Sequence, residues 1–202
     1  MSSLTAAERA DQRLEADETD NRRLFGFWVY IMTDCVLFAS LFATYAVLHS
    51  NTFGGPTGGQ IFSLHNVLAE TLILLTSSFT CGLAMLAANN KKRSKTIFWL
   101  VITFILGISF LVLEITEFRH LVADGNSWRR SGFLSAFFTL VGTHGLHITI
   151  GLTWMAAMII KIAQKGFGRA TLRRLTMLSL FWHFLDIVWI FIFTIVYLMG
   201  AA

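Results

Sequence analysis

The amino-acid sequence predicts an all-α integral membrane bundle of five transmembrane helices, and three observations carry that prediction. Hydrophobic side chains make up 55% of the 202 residues while charged ones make up 14%, a balance too apolar for an ordinary soluble domain of this length. Five stretches are long and apolar enough to cross a hydrocarbon core of about 30 Å, which takes about 20 residues of helix. The single proline, Pro56, lies outside all five, so nothing in the sequence breaks a span.

The elements follow in order. Residues 1–23 lack an apolar signal core and carry six acids, Glu8, Asp11, Glu15, Asp17, Glu18 and Asp20, against four arginines. They read as a solvated, partly helical or disordered lead-in, with residues 24–202 as the transmembrane domain. The spans are expected near 25–48, 62–88, 96–120, 132–161 and 175–199. The first serves as its own insertion signal. The second is the least apolar, diluted by Ser63, His65, Asn66, Glu70, Thr71, Thr76, Ser77 and Ser78, yet Val67 to Ala88 has the required length and ends at a basic turn. The Gly-rich FGGPTGG at 53–59 follows a helix and has no lysine, so it reads as a turn and not a phosphate cradle.

Basic residues give the orientation. Thirteen of the sixteen Lys and Arg fall in the tail, in KKRSK at 91–95 and in the segment 161–174; three, Arg119, Arg129 and Arg130, fall in the loop before the fourth span. By the positive-inside rule the N-terminus is cytoplasmic and the C-terminus outside. The basic balance reports topology and anionic lipid, not nucleic acid. Cys35 and Cys81 both fall within spans, with no disulfide or zinc spacing, and read as small packing residues. The 19 Phe and six Trp read as packing and interfacial belts, Trp128, Phe25, Phe27 and Trp28 lying near boundaries.

The informative residues are the polar ones that the apolar runs retain. Five acids, Asp34, Glu70, Glu114, Glu117 and Asp186, lie inside spans or at their edges, whereas no Lys or Arg lies deep in one. A charge at the bilayer centre costs about 2.5–3.5 kcal/mol even on lenient scales, so these acids must be neutral, paired or buried against protein. Counting about 1.5 Å per residue from the boundaries puts Asp34, His144, His147, His183 and Asp186 in the middle third of the membrane. Glu70, Glu114 and Glu117 form a second group within about 10 Å of the outer face by the same count. His144, His147, Gly151 and Trp154 share one stripe of the fourth helix, and His183, Asp186, Ile190 and Phe193 repeat the spacing on the fifth. Gly142 and Gly145 flank the first stripe, where a small residue lets another element approach.

Three readings of the histidines compete: a metal site, a proton path and a hydrogen-bonded seam between helices. Two histidines three apart can share an ion, but H-x-x-H alone is a weak pattern and no thiolate accompanies it. Histidine and a partly buried carboxylate could also handle protons near neutrality. The seam is favoured, with His144 or His147 expected to meet Asp34 or Asp186 between helices. No catalytic, cofactor-binding or metal-ligating residue is assigned.

The stretches GFWVYIMTDCVLFASLFATYAVL at 26–48, SGFLSAFFTLVGTHGLHITIGLTWM at 131–155 and SLFWHFLDIVWIFIFTIVYLMG at 179–200 closely resemble subunit III of the haem-copper terminal oxidases, above all the bacterial cytochrome bo ubiquinol oxidase branch. The likeness covers residues 24–202. It implies a bundle beside the catalytic subunit I that carries none of the redox groups, haem b, haem o and copper being held by that partner. It also implies subunits II and IV as further partners, bound phospholipid, ubiquinol as the substrate of the whole complex, and a place in the bacterial inner membrane. The longer mitochondrial relatives have seven helices around a lipid-filled cleft, and this chain resembles the last five. Asp34 stands where those relatives have a glutamate reactive toward dicyclohexylcarbodiimide; here the side chain is one methylene shorter. Glu114 and Glu117 match an E-x-x-E of the mitochondrial form. A cytochrome c oxidase subunit III of five-helix bacterial type is the alternative within the class. From another class, the alternatives are an autonomous small membrane carrier or a histidine-box metalloenzyme. Carriers favour discontinuous helices, which a chain without intraspan proline does not suggest.

Overall fold

A computed structural model describes residues 6–52, 54 and 64–200, and every regular element among them is helical. Helix α1 runs Ala6–Leu48, α2 Leu64–Asn89, α3 Arg93–Ala123, α4 Gly132–Lys165 and α5 Arg169–Ile192, with a π-helical turn Phe193–Leu198 completing the last span. Five helices are long and apolar enough to cross a membrane: Asn21–Leu48, His65–Asn89, Arg93–Ala123, Gly132–Lys165 and Arg169–Leu198. The five expected spans are therefore present, several of them longer at their ends than hydropathy suggested. Most of the FGGPTGG turn, and the expected start of the second span at 62 and 63, lie outside the described residues.

Helix ends follow local chemistry. The α2–α3 turn is closed by Lys91, which takes a positive φ of 54°. Ser131 caps α4 by accepting the Leu134 amide at 3.2 Å, the usual solution for an orphan N-terminal N–H. At the other end of α4, Gly166 turns the chain at φ 69°, a conformation that glycine adopts without penalty. Arg93, at the start of α3, donates to the carbonyl oxygen of Ala163 near the end of α4, so the basic turn also fastens two helices.

The chain divides into two compact units, residues 1–37 and 38–202. The described residues of the first, from Ala6 on, form a single helical stretch. In the second, α2 packs against α3 and α5, and α4 packs against α3 and α5, which makes a closed ring of four helices. The end of α1 from Phe38 onward joins this unit through rings. Phe38 meets His147 at 5.2 Å between centroids, Phe42 meets Phe191 at 6.3 Å, and Tyr45 meets Phe133 at 6.1 Å. Within the π turn of the last span, the Tyr45 hydroxyl donates to the Val196 carbonyl at 3.4 Å.

Candidate functional site

The interior of the ring is organised by two tryptophans one heptad apart on α5. Trp182 and Trp189 are 1% and 0% exposed, and each indole N–H finds an acceptor on α2: Trp182 Nε1 donates to Ser77 Oγ at 2.8 Å, and Trp189 Nε1 to Thr71 Oγ1 at 3.1 Å. Two further contacts join the same helices: Ser78 Oγ lies 2.6 Å from His183 Nδ1, and Cys81 Sγ lies 3.8 Å from Ser179 Oγ. From Thr71–Trp189 at one end to Cys81–Ser179 at the other, residue numbers rise along α2 and fall along α5, so the four contacts form an antiparallel polar zipper. Thr80 extends it sideways, meeting Thr103 of α3 at 2.8 Å. Interhelical hydrogen bonds of this kind average about 0.6 kcal/mol in membrane proteins, so these five contacts supply roughly 3 kcal/mol.

Glycines admit the large rings. A Cβ built on Gly107 of α3 would stand 2.9 Å from Trp182 Cη2 and 2.9 Å from Leu152 Cδ2, and one on Gly151 of α4 would stand 3.1 Å from Trp182 Cζ3. One side chain of α5 therefore touches all three other helices of the ring: α2 by its N–H, α3 and α4 by its ring edge. This is small-residue packing put to use for a wedge. Trp189 serves the next level, stacked on His144 at 5.3 Å and 27° and edge-on to Phe110 at 4.7 Å and 86°.

The structure places the sequence-selected residues as follows. His144 is fully buried between Trp189 and Phe110, and neither of its ring nitrogens has a hydrogen-bonding partner among the described residues. Of the two histidines expected to meet an aspartate, His144 makes no hydrogen bond among the described residues, and apolar rings surround its imidazole. His147 turns back on its own helix, with Nδ1 2.7 Å from the Thr143 carbonyl. His183 pairs with Ser78, and the Ser78 hydroxyl also interacts with Asp186. Asp34 belongs to the first unit, where Tyr30, one turn earlier, is its hydrogen-bonding neighbour.

Glu70, Glu114 and Glu117 come together where α2 begins and α3 ends. Glu70 and Glu114 are 2% and 3% exposed, and each has one carboxyl oxygen without a partner. Glu114 is close enough to interact electrostatically with both of the others. It can lie so deep because Gly145 faces it: a Cβ there would meet Glu114 Oε1 at 2.9 Å. Gly142, by contrast, has only Phe118 nearby, at 3.8 Å. Among the described residues no group of three or more His, Cys, Asp and Glu is arranged to hold a metal ion.

Sequence reasoning missed the α2 half of the zipper and the wedge. The signal was present: Thr71, Ser77, Ser78 and Cys81 follow a helical stripe, as do Ser179, Trp182, Asp186 and Trp189. The hydroxyls counted as dilution of the second span were its contact surface.

The described geometry can hold a rigid, polar-stitched bundle, and comparison with known proteins identifies the kind of bundle. A family model described as cytochrome c oxidase subunit III matches residues 18–201, which is nearly the whole chain. The chain belongs to the cytochrome c oxidase subunit III family. Cytochrome bo(3) ubiquinol oxidase subunit 3 of Pseudomonas aeruginosa is 56% identical over 186 residues, 92% of this chain and 89% of its own length. Quinol oxidase subunit 3 of Bacillus subtilis is 43% identical over 185 residues, 92% and 91% of the two chains. Cytochrome c oxidase subunit 3 of Bacillus sp. PS3 is 45% identical over 180 residues, 89% and 87%. The family thus includes relatives named for quinol and for cytochrome c oxidases.

Proposed function

We propose that this chain is the non-catalytic third subunit of a proton-pumping cytochrome bo ubiquinol oxidase, supporting assembly, lipid binding and the stability of subunit I. The observation that carries this reading is the 56% identity across 92% of the chain to a subunit named for that oxidase. The interior supports a structural role. Its most buried imidazole, that of His144, is packed between the rings of Trp189 and Phe110, which suits filling space. Its hydroxyls and indoles are spent on one another across α2 and α5. In this reading haem b, haem o and copper reside in subunit I, the main contact, with subunits II and IV completing the complex. Ubiquinol is bound by the assembly, which lies in the bacterial inner membrane. The N-terminus is cytoplasmic and the C-terminus periplasmic, as the basic side chains direct.

The role of the chain's own residues is mechanical. Trp182 fixes the spacing of four helices at one level, Trp189 and His144 at the next, and the zipper fixes the register between them. A bundle held in register offers partner subunits and lipids a constant surface. The complex purified through this chain tests the reading by substrate preference. Oxygen uptake with ubiquinol at least tenfold faster than with reduced cytochrome c is the expected result; the reverse preference moves the chain to the cytochrome c oxidase branch, and neither activity removes it from the oxidases.

A further inference from the structure

A cavity of about 390 Å³ opens between the start of α2 and the end of α3, lined among others by Glu70, Leu113, Glu117, His120, Leu121 and Asp124. Its acids come from both helices: Glu70 from α2, Glu117 and Asp124 from α3, with Glu114 behind them in electrostatic reach of Glu70 and Glu117. The bases that the chain carries at this end do not answer that charge. Arg119, Arg129 and Arg130 are not among the lining residues, and Arg130 donates to Asn126 Oδ1 at 2.6 Å. His120 is exposed and forms no ion pair among the described residues.

Two independent observations make this a place for a cation with N–H groups. Glu70 lines the cavity while only 2% exposed, and its Oε2 accepts no hydrogen bond among the described residues. A buried carboxyl oxygen without a donor is costly, and an apolar membrane offers no water in its place. Asp124 caps the C-terminal end of α3, where the helix dipole is already negative, so its carboxylate and that of Glu117 add to a field that attracts positive charge.

The surroundings select which cation. No cluster of His, Cys, Asp and Glu among the described residues has metal-holding geometry. A phospholipid would set its phosphate against the carboxylate of Asp124. A guanidinium brings five N–H donors in a planar fork that matches carboxylates and suits interface ion pairs, so one group can serve Glu70 on α2 and Glu117 on α3 together. Leu113 and Leu121 give its methylene stem an apolar wall. Leu113, His120 and Asp124 are exposed, so the cavity is entered from outside the ring of helices, where another chain can reach it. We propose that this cavity is a docking socket for an arginine side chain of a partner subunit. The guanidinium lies between Glu70 and Glu117, Asp124 draws it in at the mouth, and the pairing fixes the partner's register against α2 and α3. The inference rests on the reading of this chain as one subunit of a larger complex and adds where, and by what chemistry, a partner is held.

The test uses the complex purified through a C-terminal tag, with Thr116, an exposed residue of the cavity wall, replaced by the photo-cross-linking residue p-benzoylphenylalanine. Irradiation should join the chain to a partner-subunit peptide that contains an arginine, identified by mass spectrometry. In the same background Glu117→Arg should lower the cross-link yield at least about tenfold, and changing the partner's arginine to glutamate should restore it, which a merely weakened fold would not do. Asp124→Arg provides the same comparison should Glu117→Arg fail to assemble. A complex that purifies intact yet cross-links only to lipid, to no protein, or to a peptide without arginine overturns the inference and leaves the subunit reading standing. So does a charge-reversed variant that keeps its cross-link yield or is not rescued by the partner's reversal. A chain that purifies with no partner at all overturns both.

Discussion

Replacing Gly107 by alanine tests the wedge at its tightest point. The added Cβ would meet Trp182 Cη2 and Leu152 Cδ2, each at 2.9 Å, against a preferred carbon–carbon separation of about 3.5 Å or more. The indole would have to retreat by about 0.6 Å on that basis. It has nowhere to go: Gly151 already lies against its opposite edge, and its N–H is tethered to Ser77 at 2.8 Å. Overpacking of this kind costs about 1–3 kcal/mol. The helix-propensity gain of alanine over glycine, up to about 1 kcal/mol in water, is mostly absent here, because spans stay helical in lipid before they pack. Trp182→Phe makes room at 107 but removes the donor to Ser77, at a cost of about 1 kcal/mol. The two substitutions must therefore couple, with Gly107→Ala nearly free in the Trp182→Phe background. The assay is unfolding by titrated SDS of the chain with its accompanying subunits in lipid, carried out as a double-mutant cycle. A loss of about 1–3 kcal/mol for Gly107→Ala and a coupling of at least about 1 kcal/mol are expected. A Gly107→Ala variant as stable as wild type, or strictly additive effects, would refute the wedge.

Other substitutions separate the polar contacts from the apolar ones. His144→Phe should leave the bundle as stable or more stable, since the ring stacking is kept and two unused polar atoms are removed; a loss above about 1 kcal/mol in the same SDS titration would reveal a hydrogen bond at that ring. Ser78→Ala, which strips the 2.6 Å partner of His183, should cost about 0.6 kcal/mol and at most about 1.7, and a stabilised variant would contradict the zipper. Gly145→Ala should be disruptive because its Cβ meets Glu114 Oε1. Combining it with Glu114→Ala should restore assembly, whereas Glu114→Gln, of equal size, should not. His147→Ala should loosen the bundle or weaken subunit association while the haem spectrum of the assembled enzyme stays unchanged, and an altered spectrum in an intact complex would assign this ring a redox role.

The spans were legible because hydropathy over about 20 residues is a strong, local quantity, and the helices indeed fall where the apolar runs are. Counting along the helices puts Glu70, Glu114 and Glu117 at one level, and in the structure Glu114 lies within electrostatic reach of the other two. Which residues meet across helices was harder. Asp186 and His183 look equally able to face α4 or α2, and nothing in the spacing of α5 reveals that Ser78 is waiting on α2. The hydroxyls of α2 lower its hydropathy, so a scan weighs them against the span, while in the folded chain they accept the indole protons of α5. His144 misleads in the opposite sense: its residue type suggests a polar contact, but Trp189 and Phe110 enclose it. The π turn at Phe193–Leu198 left no mark in an otherwise regular apolar run.

In the proposed function this chain is a structural subunit, and the redox groups belong to its partner. The measurement that tests it most directly is the haem spectrum and copper content of material purified through a C-terminal tag in mild detergent, recorded before and after the partners are stripped away. Haem b, haem o and copper are expected in the complex, all departing with a large partner and leaving this chain metal-free. A chain that arrives alone, or that keeps metal after its partners have gone, would contradict it.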